Sequence, residues 1–562
     1  MVKKFIQLIH QEIAGVHQAA FLLGFFTLLS SILALFRDRL LAHSFGASQT
    51  LDVYYAAFRV PDFIYASVAS LVSISILIPF FTEIFEKKKE EAARLMDTIF
   101  TVFMTIIIVI SAIAWFLMPH IVTFILPGIS DPAAQAEVIL LSRVLLLQPI
   151  CLGISNLLGV ITQISKRFII YAISPIFYNI AIIFGIVVLY PHFGLMGLVM
   201  GVVIGGLMHF AIQIPYVQSF GLIPRIRFNI DMSVVKNIFI HSIPRTITLS
   251  ASQIELIFLT SYASYLTIGS IAIFNFATNL QSVPFSIVAV SYALAAFPTL
   301  SGYFAKGETQ KFVDHVVLAA RHIIFWSVPI TVLFIVLRAQ IVRTILGSGS
   351  FNWEHTRLTA ACVAMFIVSL VAQGLEILFV RAYYAAGKTR RPLIVNVISS
   401  IITISLPFFL LQLFNGSEMF RYFIESLFKI EGINGSGIIM LPLGFTLGTI
   451  INALIFWYMF QKEFGNFTAR VMPSFFSSLQ AGILGGFAAY LTLNILDDYL
   501  NLNTLPGIFL QGLGGAIVGL VITVCTFVVL RNEEIAEVWH SFHQKLGFTS
   551  RVVVSEPENI EM

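Results

Sequence analysis

One hydrophobic run follows another along this chain, about fourteen in all, and Lys and Arg gather in every second connection between them. Each run is long enough to cross a bilayer as a helix, which needs about 20 mostly apolar residues. Lipid offers no partner to a bare peptide group, so such runs must be helical. The expected fold class is an all-α polytopic membrane protein. Its spans are placed at 19–43, 53–84, 97–119, 136–162, 168–190, 193–217, 240–263, 268–302, 314–337, 357–385, 391–414, 437–461, 474–495 and 506–530. With 58% hydrophobic and 11% charged residues and a mean hydropathy of +0.91, lipid is the main solvent of the 562-residue chain. A net charge of +4 without an extended basic run argues against nucleic-acid partners. Cys151, Cys362 and Cys525 lie inside apolar runs without C-x-x-C spacing and read as packing residues, so no disulfide, metal site or cofactor is implied. The first eighteen residues, with Lys3, Lys4, Glu12 and two His, are too polar for a secretory signal, and the first helix is expected to be retained.

The basic residues fix an orientation. Lys87, Lys88, Lys89 and Arg94 follow the second span. Later even connections hold Lys166 and Arg167, then Arg225, Arg227 and Lys236, then Lys306 and Lys311, then Lys388, Arg390 and Arg391, then Lys462 and Arg470. Odd connections hold only Arg338, Arg343 and Arg357 around the ninth, and Arg421 and Lys429 in the eleventh. Retained positive charge marks the cytoplasmic side, so the even connections and both termini are expected there.

The chain also repeats itself. IVTFILPG at 121–128 returns as IVRTILGSG at 341–349, Pro175 and Asn179 in SPIFYNI return as Pro392 and Asn396 in RPLIVNV, and Pro61 in RVPDF has a counterpart in Pro284 of SVPFS. The offset is about 220 residues each time, with an even number of spans between the copies, so both halves face the same way. This predicts two six-helix lobes in parallel orientation around a central cavity, at 1–217 and 218–461. Two extra helices at 462–530 and a cytoplasmic tail at 531–562 complete the division; the charged tail, with Trp539 and Phe542, is read as solvated, with an interfacial helix or a partner contact as the alternatives.

Charge inside a span costs about 2.5–3.5 kcal/mol on insertion scales, which makes every intramembrane ionisable group a site candidate. Span 1 ends with Arg37, Asp38 and Arg39; span 2 opens with Asp52 and carries Arg59 two turns later. Either Arg37 and Arg59 converge where the first two helices meet, or Arg37 and Arg39 sit at the outer interface, snorkelling or paired with Asp38 and Asp52. Paired guanidinium forks suit a phosphorylated headgroup, because they grip phosphate oxygens bidentately and keep their charge. Span 7 holds Arg245 and, near its middle, Glu255; span 10 holds Glu376 and Arg381. Glu255 is the leading candidate for a coupling carboxylate, with a buried ion pair as the alternative, and Asp38 is a second candidate. Asn275, Asn279 and Gln281 of span 8 offer hydrogen bonds to a sugar or to neighbouring helices. Pro61, Pro244 and Pro284 are expected to bend their spans. No H-E-x-x-H, G-x-S-x-G or phosphate loop occurs, so neither an enzyme nor an ATP-driven pump is indicated.

The segment FRDRLLAHSFGASQTLDVYYAAFRVPDF (36–63) resembles the opening signature of the MurJ/MviN family, lipid II flippases of the MOP exporter superfamily. FNFATNLQSVPFSIVAVSYALAAFPTLSGY (274–303), the stretch 341–397 and PIFYNIAIIFGIVVLYPHFGLMGLVMGVVIGGLMHFAIQIP (175–215) resemble later spans of the same family. The resemblance covers nearly the whole chain. It implies alternating access between two six-helix lobes, with spans 13–14 forming a groove for the long lipid tail. It also implies that Arg37 matches a required span-1 Arg, Asp52 an Asp at the periplasmic end and Arg59 a basic span-2 position. Departures accompany these matches: Ser31 replaces a second span-1 Arg, Tyr65 and Ala66 a pair of Arg, Ser70 a nearby Glu, and Asn279 the central span-8 Arg. A sodium site of the kind reported in the family needs an acid in span 11; 392–410 has none, and only Asn396 remains.

The function expected is therefore a bacterial inner-membrane flippase that carries a polyprenyl-diphosphate-linked glycan, foremost the peptidoglycan precursor lipid II, to the outer leaflet. Arg37, Arg59, Asp52, Asn279 and Ser31 would line the substrate site. A MATE-like ion-coupled exporter of amphiphilic compounds, or a non-transporting scaffold for cell-wall synthesis proteins, are the alternatives.

Overall fold

The computed structural model describes residues 16–68, 89–165, 168–227 and 232–545. Among them the first half contains α1 (Val16–Phe45), α2 (Gln49–Ala57), α3 (Arg59–Val68), α4 (Lys89–Ile125), α5 (Pro132–Leu145), α6 (Leu147–Ile164), α7 (Phe168–Phe184) and α8 (Leu195–Ala211). The second half contains α9 (Met232–Ser264), α10 (Ser270–Pro284), α11 (Ser291–Ala305), α12 (Thr309–Leu346), α13 (Trp353–Val368), α14 (Leu370–Ala385), α15 (Arg390–Gly416), α16 (Glu418–Phe428) and α17 (Met440–Phe464). α18 (Phe467–Asp497), α19 (Leu505–Val529) and α20 (Glu533–Lys545) follow.

The protein is an all-helical, multi-pass membrane protein. Ten helices among the described residues are long and apolar enough to cross a membrane, or eleven if the pair α13 and α14, bent by 40°, counts as one span. The count of fourteen is thus not reached by this measure. The remaining three expected spans are helical where described, at α1, at α2 with α3, and at α9; the stretch 69–84 of the expected second span lies outside the described residues, as does Ser70.

Helices pair in the same order in the two halves. α1 packs on α7 and α7 on α8, as α9 packs on α15 and α15 on α17; α2 meets α5 as α10 meets α13. Small residues allow the closest of these approaches. A methyl on Gly201 of α8 would come within 2.7 Å of Gly185 Cα beside α7. α18 and α19 stand outside this scheme and dock together on α12, where Gly482 lies against Pro329.

Proline shapes two of the breaks. Pro61 cannot donate to the carbonyl of Ala57, the helix interrupts at Phe58, and Ser142 Oγ supplies the missing donor to Ala57 O at 3.0 Å. Pro284 is followed by a π-helical turn at Phe285–Val290 before α11 resumes. At Pro244 the helix α9 continues without interruption.

The expected solvated tail is also corrected in part. α20 is clamped to α12: Arg321 Nε donates to Glu534 Oε1 and Arg321 Nη2 to Glu533 Oε2, each at 2.6 Å, and His322 Nε2 lies 2.9 Å from Glu537 Oε2. A carboxylate as buried as Glu534 must be paired, and Arg321 inside α12 needs the same partner.

Candidate functional site: a polar chain between the halves

α1 and α3 bring their arginines to one side of α10. Arg59 is buried at 4% exposure, and its Nη2 donates to Asn275 Oδ1 at 2.6 Å. One turn further along α10, Asn279 Nδ2 donates to Asp38 Oδ2 at 2.9 Å. The other oxygen of Asp38 takes Arg37 Nε at 3.0 Å and Nη2 at 2.8 Å. Arg37 Nη1 continues to Asn179 Oδ1 at 3.3 Å, and Asn179 Nδ2 to Ser30 Oγ at 3.2 Å. Asn275 and Asn279 are four residues apart and so share one helix face. The two arginines are therefore joined through a single stripe of α10, the first helix after α9 in the other half of the chain.

Their states differ. Arg37 is neutralised by Asp38 on its own helix. Arg59 has no carboxylate within ion-pair distance among the described residues, although the charge of Asp62 acts on it from one turn away, and its Nε has no hydrogen-bond partner. A buried donor without a partner costs about 1–3 kcal/mol, so Arg59 is held ready for an acceptor.

The other candidates fall in different places. Asp52 does not face the arginine chain. Its Oδ2 accepts from Gly269 N at 2.6 Å and its Oδ1 from Ala272 N at 2.8 Å, capping the N-terminus of α10 from across the interface. Gly269 has φ +91°, and a methyl there would sit 2.5 Å from Ala47 O, so only glycine allows this approach. Ser31 Oγ bonds its own helix at Thr27 O, and its neighbour Ser30 belongs to the chain instead. Arg39, not among the site candidates, reaches across to the end of α12, donating to Thr344 O at 2.6 Å and Ile345 O at 3.2 Å. Ser350 N to His43 O at 2.9 Å, Ala47 N to His355 Nδ1 at 3.3 Å and Gly128 N to Ser264 Oγ at 3.2 Å add to the same seam. All of these bonds lie at odd connections, on one end of the helical stack.

Glu255 sits elsewhere, between α9 and α15. Ser400 donates its hydroxyl to Glu255 Oε1. Glu376 of α14 lies within electrostatic reach of Glu255 and faces the Asn452 amide, and Asn452 Nδ2 is 3.5 Å from Asn396 Oδ1. The side chain of Arg245, the expected ion-pair partner, lies outside the described residues. No group of three or more His, Cys, Asp or Glu is arranged to hold a metal ion among the described residues.

Sequence reasoning missed two members of the arginine chain, Ser30 and Asn179. Asn179 was visible as a repeat residue recurring at Asn396, and both asparagines prove to be buried amides beside the polar centre of their own half.

The comparisons bear on the fold and the family. Among solved structures, the fold is similar to "Lipid II flippase MurJ, inward closed conformation", with a TM-score of 0.71 and 21% identity, over 91% of this chain and 100% of that one. It is also similar to an inward-facing multidrug resistance MATE family transporter of the MOP superfamily, with a TM-score of 0.62 and 12% identity, over 78% of this chain and 96% of that one. Curated relatives include the lipid II flippase MurJ of Burkholderia cenocepacia, 24% identical over 67% of this chain and 75% of its own length. The probable lipid II flippase MurJ of Rickettsia prowazekii is 26% identical over 70% of this chain and 78% of its own length. The family model described as lipid II flippase MurJ matches residues 41–510, which takes in Asp52, Arg59, the α10 asparagines and both halves of the repeat. With that span matched, the chain belongs to the MurJ family of lipid II flippases.

Proposed function

We propose that this protein flips a polyprenyl-diphosphate-linked glycan, lipid II foremost, from the cytoplasmic to the outer leaflet of a bacterial cytoplasmic membrane, by alternating access of lobes 1–217 and 218–461. The observation that carries this is the arginine chain: Arg59, without an ion pair among the described residues, meets the neutral Asn275 amide of the other lobe, and Arg37 is linked to that lobe through Asp38 and Asn279. Both termini and the even connections would face the cytoplasm, so the seam of Asp52, Arg39 and His43 closes the outer end.

In this state Asn275 stands in for the cargo at Arg59. A diphosphate offers Arg59 charge-assisted hydrogen bonds roughly twice as strong as those from an amide. Loading therefore replaces the Arg59–Asn275 bond that ties α10 to α3, and the lobes lose a reason to stay together at that level. A ligand moves such an equilibrium only by its differential affinity for the two states, so release requires a weaker grip on the diphosphate once the lobes have rocked. Resetting an emptied cationic cavity is favoured by the membrane potential, by about 2.3 kcal/mol per charge per 100 mV. The apolar groove of about 600 Å³ between α18 and α19, lined by Ile483, Leu484, Ile522, Cys525 and Val529, suits the polyprenyl tail.

The experiment is a leaflet-exposure assay with labelled lipid II in proteoliposomes of purified protein. Exposure that rises with wild-type protein and fails with Arg59→Ala supports the reading. Unchanged exposure with wild-type protein overturns it in favour of a scaffold.

A further inference from the structure

Helix α16 (Glu418–Phe428) lies in the eleventh connection, between α15 and α17, and belongs to neither lobe's span pattern. It is a built element. Ser417 caps it by accepting from Phe420 N at 3.3 Å, and Lys429 ends it at φ +57°. Its eleven residues divide into three sectors at about 100° per residue. Phe420, Ile424 and Phe428 pack on the protein core. Glu418, Arg421 and Glu425 flank this packed sector on one side. On its other side, opposite the polar sector, lie Met419 at 82%, Phe423 at 59% and Leu427 at 55% exposure. A quarter-turn of large apolar side chains thus faces outward beside a quarter-turn that faces the protein.

The surface immediately below it says what covers this sector. α15 leads into α16 through Gly416, and Phe408, Phe409 and Leu413 near that end of α15 are 44%, 62% and 49% exposed. α15 is a membrane span by length and composition, so those side chains meet lipid. The apolar sector of α16 continues that lipid-facing surface past the end of the span. Tyr422, 68% exposed, borders the sector as aromatic residues do at headgroup level. Arg421 is exposed and has no carboxylate within ion-pair distance among the described residues. The same helix accounts for the cations that break the charge rule in the eleventh connection: Arg421 and Lys429 belong to an interfacial helix and its cap.

We propose that α16 is an in-plane anchor in the headgroup layer of the leaflet opposite the basic connections. Met419, Phe423 and Leu427 sit at the acyl boundary, and Arg421 faces lipid phosphate. Such a helix fixes the height of the α15–α17 end of the second half, giving the other half a fixed surface to move against. The proposal rests on the lipid exposure of α15 and is independent of the cargo.

The test uses the full chain in phosphatidylcholine vesicles with the exposed Cys525 replaced (Cys525→Ser), leaving only the buried Cys151 and Cys362. An environment-sensitive nitrobenzoxadiazole label is placed at Phe423→Cys, at Met419→Cys and, as a control on the polar sector, at Glu425→Cys. The expected result is blue-shifted emission at 423 and 419, quenched at least about twofold more by lipid nitroxides at acyl carbon 5 than at carbon 12, with weaker quenching at 425. Water-like, unquenched emission at 423 and 419 overturns the anchor in favour of a solvated helix. Blue-shifted but unquenched emission overturns it in favour of cover by a second copy of this chain. Arg421→Glu should leave the emission at 423 blue-shifted but reduce the carbon-5 quenching, and unchanged quenching removes the phosphate contact from the proposal.

Discussion

The two halves place opposite charges at matching points of the same helix packing. In the first, α1 against α7 holds Arg37 beside Asn179; in the second, α9 against α15 holds Glu255 beside Ser400. The inversion recurs at the end of the stack that carries the basic connections. Asp97 of α4 is held by the segment that follows the first lobe, accepting from Arg225 N at 2.8 Å and pairing with Arg227 at 2.9 Å. Arg321 of α12 is held by the segment that follows α19, through Glu533 and Glu534. The position relative to the interface differs as well. The Arg37 centre is tied to α10 of the other half, whereas the Glu255 centre lies wholly within its own half. A group at the interface changes partners whenever the lobes rock, so it suits cargo that must be gripped and released. A group inside one lobe keeps its partners, and can act only by changing that lobe's charge or shape.

The largest effect expected from this contrast is at the interface. Arg59→Ala and Arg37→Ala should each abolish rescue of cells depleted of their own flippase. The charge pair that counts here is the one proposed between each guanidinium and the diphosphate; truncating one partner of such a buried, hydrogen-bonded pair costs about 2–5 kcal/mol, or about thirtyfold and upward in flipping rate. Arg59→Lys should fall between, because an ammonium keeps the charge and loses the fork. Growth of both alanine variants at the wild-type rate would dissolve the contrast, since the arginines would then be packing residues. Next in size is the seam. Asp52→Ala removes the cap of α10 and should favour separation of the lobes there by about 0.5–2 kcal/mol, the usual worth of a helix cap. Hydrogen exchange at Gly269 and Ala272 reads this as faster exchange, and equal rates in the variant would show that Asp52 does not hold the halves together.

How much of this was legible beforehand depends on whether a residue acts locally or across the interface. The helical runs, the repeat and the candidacy of Arg37, Arg59 and Glu255 follow from apolar length, from recurring Pro and Asn, and from the cost of charge in lipid. Asp52 was read correctly as unusual and assigned to the cargo, but its partners are backbone amides about 220 residues further on, and no pattern along one helix reveals them. Ser31 and Ser30 show the same limit at finer scale: one residue of helix rotation, about 100°, decides which hydroxyl meets Asn179. α20 looked like a solvated tail because Glu533, Glu534 and Glu537 are charged; Arg321 and His322, which bind them, lie on the ninth span, more than 200 residues earlier.

Glu255→Gln sharpens the contrast with a more moderate effect. If the carboxylate acts within its lobe, apparent affinity for lipid II should stay within about twofold of wild type, while the dependence of turnover on pH or on an imposed ion gradient flattens. Measuring both in the same proteoliposomes separates the roles. A variant that loses lipid binding but keeps the gradient dependence would move Glu255 to the cargo site and leave the halves functionally alike.

The smallest effect concerns the two straps. Glu534 is 1% exposed, and burial by itself pushes its carboxyl up; the hydrogen bond and charge of Arg321 outweigh that and hold it below the usual carboxylate range. A carboxyl whose pKa is lower when docked than when free contributes docking stability that is complete above the free value and is lost as pH falls through the docked one. α20 should therefore stay in place at neutral pH and loosen only in acid, below the ordinary carboxylate range. Hydrogen exchange across Glu533–Lys545 should show protection that drops in that window, and Glu534→Gln should lower protection at neutral pH and remove most of the drop. Because the strap lies away from both polar centres, flipping at neutral pH should change by no more than about twofold in this variant, the scale of a partly exposed ion pair. The first lobe offers the control. Asp97→Asn loosens a strap of inverted sign at the matching helix, and if only one of the two variants alters turnover, the straps serve different lobes in different ways.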